Sequence, residues 1–301
     1  MRVFVTGANG WIGSAAVREL LGNGHEITGL ARTEQAQASL QAIGAKTVRG
    51  DLSQLALLHE AASKADGVLH FAFHQDFTDI KGSVETNRQS IETLGKALAS
   101  THRPLIVAFA TMGLTAGKLG DEDDAADLHS VGGLRVMLEE ATLALASQGV
   151  RACAVRLAPT VHGKGDHGLV PQLIQIAREK GVSAYLGDGM NRWPAVHRLD
   201  AAHLFCLALE KAPAGSKWHA VAEEGISFRT IATIIGEHLQ IPVVRLSMEE
   251  AASHFGWLAP FVANDNPVSS QKTKDRLLWQ PVHPTLLADL QEGHYFHEAI
   301  R

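Results

Sequence analysis

The sequence predicts an α/β fold, with a doubly wound parallel sheet in its first half and a smaller lobe after it. Three observations predict this. The apolar run at residues 3–5 leads into the glycine turn TGANGWIG and then into an amphipathic helix. Strand-like and helical stretches alternate from there to about residue 157. Beyond that point the rhythm breaks into glycine-rich loops, short helices and proline joints. Alternation of this kind marks a parallel sheet with helices on both faces and its ligand at the carboxyl edge.

The opening strand, turn and helix carry the most chemistry. Gly7 permits the tight turn, Gly10 lets backbone approach a pyrophosphate, and Gly13 lets the helix lie against the strand. Free N–H groups at the positive end of the helix then face the phosphates. Asn9, Trp11 and Ile12 lie in the same turn and are assigned to the same contact. The helix face of Ile12, Ala15, Val17, Leu20 and Leu21 is apolar, and the helix ends at the glycines near residues 22–24.

The second strand, residues 25–31, ends at Arg32 with no carboxylate beside it. An acid at this place holds the ribose 2′-hydroxyl of NAD, whereas an arginine suits a 2′-phosphate. The expected cofactor is therefore NADP (NADPH). A helix over 34–43, a strand at 46–49, then Asp51 and Leu52 follow, placed to reach the adenine. A further helix over 54–63 leads to the strand GVLHFAF at 67–73, where Phe71, Ala72 and Phe73 let a cofactor lie against backbone, and His74 follows. A helix at 84–99 carries Asn87. The strand LIVAFA at 105–110 ends in Thr111. A helix over 132–147 precedes the strand at 152–157. Residues 1–160 are assigned to the sheet domain, with 200–222 returning to it. Residues 161–199 and 223–301 are assigned to the smaller substrate lobe, and Asp200 is expected to cap a helix.

Composition bounds the function. The chain has 301 residues, 46% hydrophobic and 20% charged, with a formal net charge of −5. That balance suits a globular enzyme and offers no basic surface for nucleic acid. No apolar run is long enough for a bilayer, and Met1 leads directly into the first strand, so a cytoplasmic protein without membrane association is expected. Cys153 and Cys206, both in apolar surroundings, are expected to be reduced core thiols. Of the five tryptophans, Trp193, Trp218, Trp257 and Trp279 are expected in the core. Sixteen histidines are present, but His162, Asp166 and His167 make a poor ligand set and no metal is expected.

These motifs resemble the extended short-chain dehydrogenase/reductase family, including its NAD-dependent epimerase/dehydratase members. TGANGWIG resembles the family's TGxxGxxG, and the resemblance extends over nearly the whole chain, through HFAF, Asn87, the segment at 156–163, the Asn191-Arg192…Val196-His197…Asp200 stretch and Leu278-Trp279-Gln280-Pro281. It implies nicotinamide-end contacts at Thr111, Pro159 and Val161. It also implies substrate contacts at His74, His162, Arg192 and His197.

The resemblance breaks at the chemistry. The family's active site is a Tyr-x-x-x-Lys, in which lysine binds ribose and lowers the tyrosine pKa so that tyrosine can exchange a proton. Only Tyr185 and Tyr295 exist here, and neither precedes a lysine by four. The alignment puts Val131 at the tyrosine position and Arg135 at the lysine position. The catalytic set implied is then Thr111 to orient the acceptor, Arg135 to hold ribose, and His162 or His129 to supply the proton.

The expected function is NADP(H)-dependent hydride transfer to or from a small carbonyl, alcohol or activated alkene. Two alternatives stay open: a non-catalytic NADP(H)-binding sensor or partner protein, and a sugar-type epimerase/dehydratase. A small-molecule substrate is the expected partner. A homodimer through the fourth and fifth helices is possible on the same resemblance.

Overall fold

The computed structural model describes residues 1–74 and 79–297. Twelve strands are found among these residues. They are β1 (Arg2–Thr6), β2 (Glu26–Ala31), β3 (Lys46–Arg49), β4 (Gly67–His70), β5 (Pro104–Ala110), β6 (Arg151–Leu157), β7 (Thr160–His162), β8 (Ser183–Leu186), β9 (Arg192–His197), β10 (Lys217–Ala220), β11 (Glu223–Ser227) and β12 (Val243–Leu246). The helices before β7 are α1 (Trp11–Gly22), α2 (Glu34–Ala42), α3 (Leu55–Ser63), α4 (Ile80–Leu98) and α5 (Val136–Ala144). Those after it are α6 (Leu169–Lys180), α7 (Arg198–Lys211), α8 (Phe228–Leu239), α9 (Met248–Phe255), α10 (Ala259–Val262), α11 (Gln271–Leu277), α12 (Leu286–Gln291) and α13 (His294–His297). None of the described helices is long and apolar enough to cross a membrane.

Seven strands form one sheet in the order β10-β6-β5-β4-β1-β2-β3. Every pairing in it is parallel. The order reverses between β1 and β4, so the crevice at their carboxyl ends is the ligand position for such a sheet. The sheet strands are apolar on both faces because each face is covered. Val3, Val5, Leu69, Ile106 and Val155 face a core completed by α1 and α7. Phe4, Val68, Leu105, Val107 and Ala154 face a core completed by α3, α4 and α5.

A second apolar core joins α6, α8, α9 and α12 around Trp193, Phe228 and Leu286. Two small sheets serve it, β11-β9-β7 and β12-β8. The chain returns to the first core twice, once through α7 and β10 and again through Val268, Leu277 and Trp279. β10 pairs with β6 in the main sheet, and α7 lies along α1 in the first core.

Several local expectations are corrected. The helix that contains Asp200 starts at Arg198, and its cap is His197, whose Nδ1 accepts the Leu199 N–H at 3.2 Å. The Asp200 carboxylate instead accepts the N–H groups of Val282 and His283. It thereby ties the late Trp279–Pro281 turn to α7, where Trp279 Nε1 also donates to the Asp200 carbonyl at 3.0 Å. Trp193, Trp218 and Trp279 are buried, but Trp257 is 57% exposed. It sits on the outer side of the second lobe, edge-on to Phe261, where the short helices leave it uncovered. Both cysteines are buried free thiols.

A buried polar joint closes the far edge of the sheet. Arg156 on β6 grips the Glu139 carboxylate with Nε at 2.9 Å and Nη2 at 2.6 Å. It also donates to the Asp124 carbonyl and faces His219 Nε2 on β10. That contact fixes His219 as neutral, with Nδ1 donating to the Ser269 carbonyl. Burial, then Arg156, holds the imidazole down to about 3. Burial alone holds His70 on β4 down to about 4. Unfolded imidazole titrates near 6.5, so below that pH the unfolded chain takes up protons that the folded chain refuses. Stability is fully present above about pH 6.5 and is lost as pH falls through the folded values. Urea midpoints measured from about pH 6.5 down to about pH 4.5 should fall steadily. His219→Gln should flatten that slope, and an unchanged slope would assign the loss to other groups.

Candidate active site

β1 ends at Thr6, and the chain turns sharply at Gly7, whose φ is +66°. The turn is closed by the Gly10 N–H donating to the Gly7 carbonyl at 2.9 Å. A side chain on Gly13 would place its Cβ inside the contact distance of that same carbonyl, and one on Gly7 would sit 2.7 Å from the Ala72 nitrogen. Gly7 and Gly13 are therefore required by backbone packing, and Gly10 has only the Gly7 carbonyl, 3.1 Å from where its Cβ would stand. Thr6 fixes the opposite wall. Its hydroxyl accepts the Ala72 N–H at 3.3 Å and shares a 2.8 Å hydrogen bond with His70 Nδ1.

Gly10 caps α1 with extended backbone, no side-chain hydrogen bond, and no acid in the first turn. The first N–H groups of the helix thus point outward without a protein acceptor, which is an anion-binding arrangement. A 690 Å³ cavity opens over this helix end. Its floor is the glycine turn, with Asn9, Trp11 and Ile12. Leu30, Arg32, Asp51, Leu52 and Ser53 line it from the carboxyl ends of β2 and β3, and Phe71, Ala72, Phe73, His74, Thr86, Ala108, Phe109, Arg135 and Leu157 from the side of β4, β5 and β6, with His74 near enough to act on Asp51. A smaller cavity of 280 Å³ lies at the amino edge of the sheet. Its cations are all paired, Arg2 with Asp66, Lys46 with Glu26 and Lys64 with Glu60.

At the adenosine end, Asp51 accepts from Ser53 N and Oγ at 2.8 and 2.6 Å, and these bonds hold its carboxyl below the usual range. Arg32 stands free, with no ion pair or hydrogen bond among the described residues. At the other end, the Arg135 guanidinium lies 3.8 Å from the centre of the Phe73 ring. The His74 backbone is clamped from both sides by Asn87, which accepts its N–H at 2.9 Å and donates to its carbonyl at 2.7 Å.

The structure removes other candidates from the cavity. Thr111 is fully buried, and its hydroxyl donates to Asn266 Oδ1 at 2.9 Å. Thr111 is engaged with Asn266 and does not line the cavity. His162 is equally buried and bonded through Nδ1 to Asp289 at 2.8 Å, inside the joint between lobes. His129 is exposed in a loop whose backbone is held by Asp127. Val131 is 39% exposed and does not line the cavity. Pro159 and Val161 do not line it either; the Val161 carbonyl accepts Trp11 Nε1 at 2.8 Å and so steadies the glycine turn from behind. Arg192 is forked onto Asp265 at 3.0 and 2.8 Å. His197 stacks on His283 at 4.8 Å, and burial followed by its histidine neighbours holds it down to about 4. His197, Asp200 and His283 lie close enough to share an ion. The parallel rings and the fully engaged Asp200 carboxylate make that joint a structural one.

Sequence reasoning missed Leu30, Ser53, Thr86, Ala108, Phe109 and Leu157, which also line the cavity. Ala108 and Leu157 could have been found from the rule that strand carboxyl ends face the ligand. Thr86 could have been found from its place beside Asn87.

A parallel seven-stranded sheet, a glycine turn at its order reversal and an uncapped helix over a long cavity define a dinucleotide-binding α/β protein. The comparisons with known proteins agree and go further. Residues 3–221 match the model of the NAD dependent epimerase/dehydratase family, and the chain belongs to it. An uncharacterized protein of Schizosaccharomyces pombe is 51% identical over 98% of this chain and 100% of its own length. A 2-alkyl-3-oxoalkanoate reductase of Stenotrophomonas maltophilia is 26% identical, over 72% of this chain and 67% of its own. Among solved structures, a dTDP-glucose 4,6-dehydratase variant from Streptomyces venezuelae with NAD and DAU bound has a TM-score of 0.78 at 20% identity. It covers 99% of this chain and 97% of its own.

Gly13→Ala should lower stability by about 1–3 kcal/mol, because the helix must back away from the turn. It should also weaken nicotinamide dinucleotide binding by roughly tenfold or more. Gly22→Ala is the control, since a Cβ there meets nothing within 4 Å. Denaturant melts and calorimetric titration would separate the two effects.

Proposed function

We propose that this chain is an NADP(H)-dependent oxidoreductase that transfers hydride to or from a small carbonyl, alcohol or activated alkene. The observation that carries the reading is Arg32. It closes the β2 end of the cavity, beside the helix that would hold a pyrophosphate, and it makes no hydrogen bond or ion pair among the described residues, with Asp51 near enough to feel its charge. A free guanidinium at this position suits a 2′-phosphate, and no acid stands at the strand end to prefer a bare ribose. The residues fit the dinucleotide on independent grounds, through the uncapped α1 terminus and the glycine positions that admit no Cβ.

NADPH, when bound, supplies the hydride. The chain supplies the rest. Gly10 to Gly13 hold phosphate at the helix end, and Arg32 and Ser53 hold the adenosine end. His74, close enough to Asp51 to act on its charge, is the one imidazole that lines the cavity among the described residues. It can donate or accept a proton at its ring nitrogens, and Asn87 keeps its backbone in place. We assign the proton exchange to His74. Phe73, Phe109 and Leu157 give the cavity an apolar stretch of wall. The likeness to an oxoalkanoate reductase supports carbonyl reduction.

One observation favours a second reading. Val131 lies outside the cavity, so the position where the family has tyrosine offers no acid at all. On that ground the protein could bind NADP(H) without turning it over and signal its redox state to a partner. The sugar epimerase reading has less support, since Arg192 is already neutralised by Asp265.

Two measurements test the proposal. Arg32→Asp should cost NADPH about ten- to a hundredfold in affinity and favour NADH, since a charge-assisted contact is lost. Dissociation constants with unchanged preference would show that Arg32 plays no part in cofactor choice. A panel of aldehydes, ketones and enones should show NADPH oxidation, and His74→Gln should lower kcat by roughly a hundredfold with KM little changed. Bound cofactor with no turnover across the panel would favour the second reading.

A further inference from the structure

Arg135 is a cation without a counter-charge. Its guanidinium stacks on Phe73 at 3.8 Å and lines the cavity. It has no hydrogen bond or ion pair among the described residues. Every other arginine drawn so far into a joint is satisfied, Arg156 by Glu139 and Arg192 by Asp265. Burial presses the Arg135 pKa downward, so the site holds the charge at a cost in solvation. A ring face offsets only part of that cost.

The charges of the cavity are unevenly placed. Arg32 and Asp51 share the adenosine end, and Asp51 feels the Arg32 charge. Arg135 stands at the opposite end, where no carboxylate lines the wall among the described residues. On the reading above, the phosphates of NADP(H) lie on the α1 terminus and beside Arg32, both away from Arg135. Ribose hydroxyls could accept hydrogen bonds from Arg135 but would leave its charge unbalanced. No anion among the described residues balances it, which leaves the substrate as the source of one.

We infer that the substrate is a small oxo acid, or the matching hydroxy acid, whose carboxylate is held by the Arg135 fork. A carboxylate is favoured over a phosphate by charge and by shape. One guanidinium stands at this end, enough for a monoanion, and its planar donors match two carboxylate oxygens. Phe73 sets the plane of the fork, and the apolar wall of Phe109 and Leu157 suits the carbon chain behind it. In the reductive direction the carbonyl carbon takes the hydride of NADPH, the oxygen takes a proton, and NADP+ leaves with the hydroxy acid.

This inference rests on the proposed NADP(H) reading, and the experiment separates the two. NADP+ is first titrated into the protein by calorimetry. The NADP+-saturated protein is then titrated with a set of 2-, 3- and 4-oxo acids, each against its methyl ester. At least one acid should bind about tenfold or more tighter than its ester, the worth of a charge-assisted contact. Arg135→Met should abolish that preference, and Arg135→Lys should keep part of it, with thermal melts showing that both variants fold. Three results overturn the inference: no acid is preferred anywhere in the set, the preference survives in Arg135→Met, or Arg135→Met weakens NADP+ itself and leaves the acid–ester ratio alone. The last would make Arg135 a ribose ligand. Failure of the first titration would instead remove the NADP(H) reading, and this inference with it.

Discussion

The close approach of three backbone segments governs this molecule. The Gly7 turn, the first turn of α1 and the exit of β4 at Ala72 meet with no room for a Cβ at Gly7 or Gly13. That contact sets where α1 begins, and its beginning sets where the unsatisfied N–H groups point. Thr6 reinforces it by bonding both His70 and Ala72. Trp11 reinforces it from the other side through the Val161 carbonyl. The cavity lies above these tightly packed segments, at the carboxyl ends of the strands where the sheet order reverses.

The second lobe is secured to this frame by polar contacts at long sequence separation. Thr111 and Asn266, 155 residues apart, exchange two hydrogen bonds. His162 reaches Asp289 over 127 residues, and Asp200 collects the backbone of the turn near residue 282. Each is buried or partly buried, so each group would be costly to leave unpaired. The stacked His197 and His283 lie among them. The polar residues of this region hold the lobes together, and the open chemistry lies on the other side of the sheet edge.

That division explains what could be read from sequence. The strands, the glycine turn and the Arg32 position are set by local pattern, periodicity of apolar residues and the steric needs of glycine. Gly7, Gly10, Gly13, Arg32, Asp51, Phe73 and Arg135, all singled out in the sequence, line the cavity. Thr111 and His162 were assigned to chemistry because their residue types and places in the chain suit it. Their true partners lie more than a hundred residues away, and no local pattern announces Asn266 or Asp289. Asp200 was misread as a cap for the same reason. Residue type told what each group can do, but only the tertiary fold told whether the group was still free to do it.

The same test, applied to the cavity itself, explains its departure from the family pattern. A lysine beside a tyrosine serves two purposes: it binds ribose, and its charge lowers the tyrosine pKa so that a proton can move. With Val131 turned away from the cavity the second purpose is gone, and nothing is left for a lysine to activate. Arginine in its place brings a permanent charge and a planar fork, neither of which helps proton transfer and both of which help recognition of an anion. The imidazole that lines the cavity is then His74, on a different element, within reach of Asp51 and clamped by Asn87. Binding and proton exchange, joined on one helix turn in the family pattern, are divided here between α5's leading residue and the exit of β4. A cation that has lost its role as activator, yet remains buried at a cost, persists for the ligand that neutralises it.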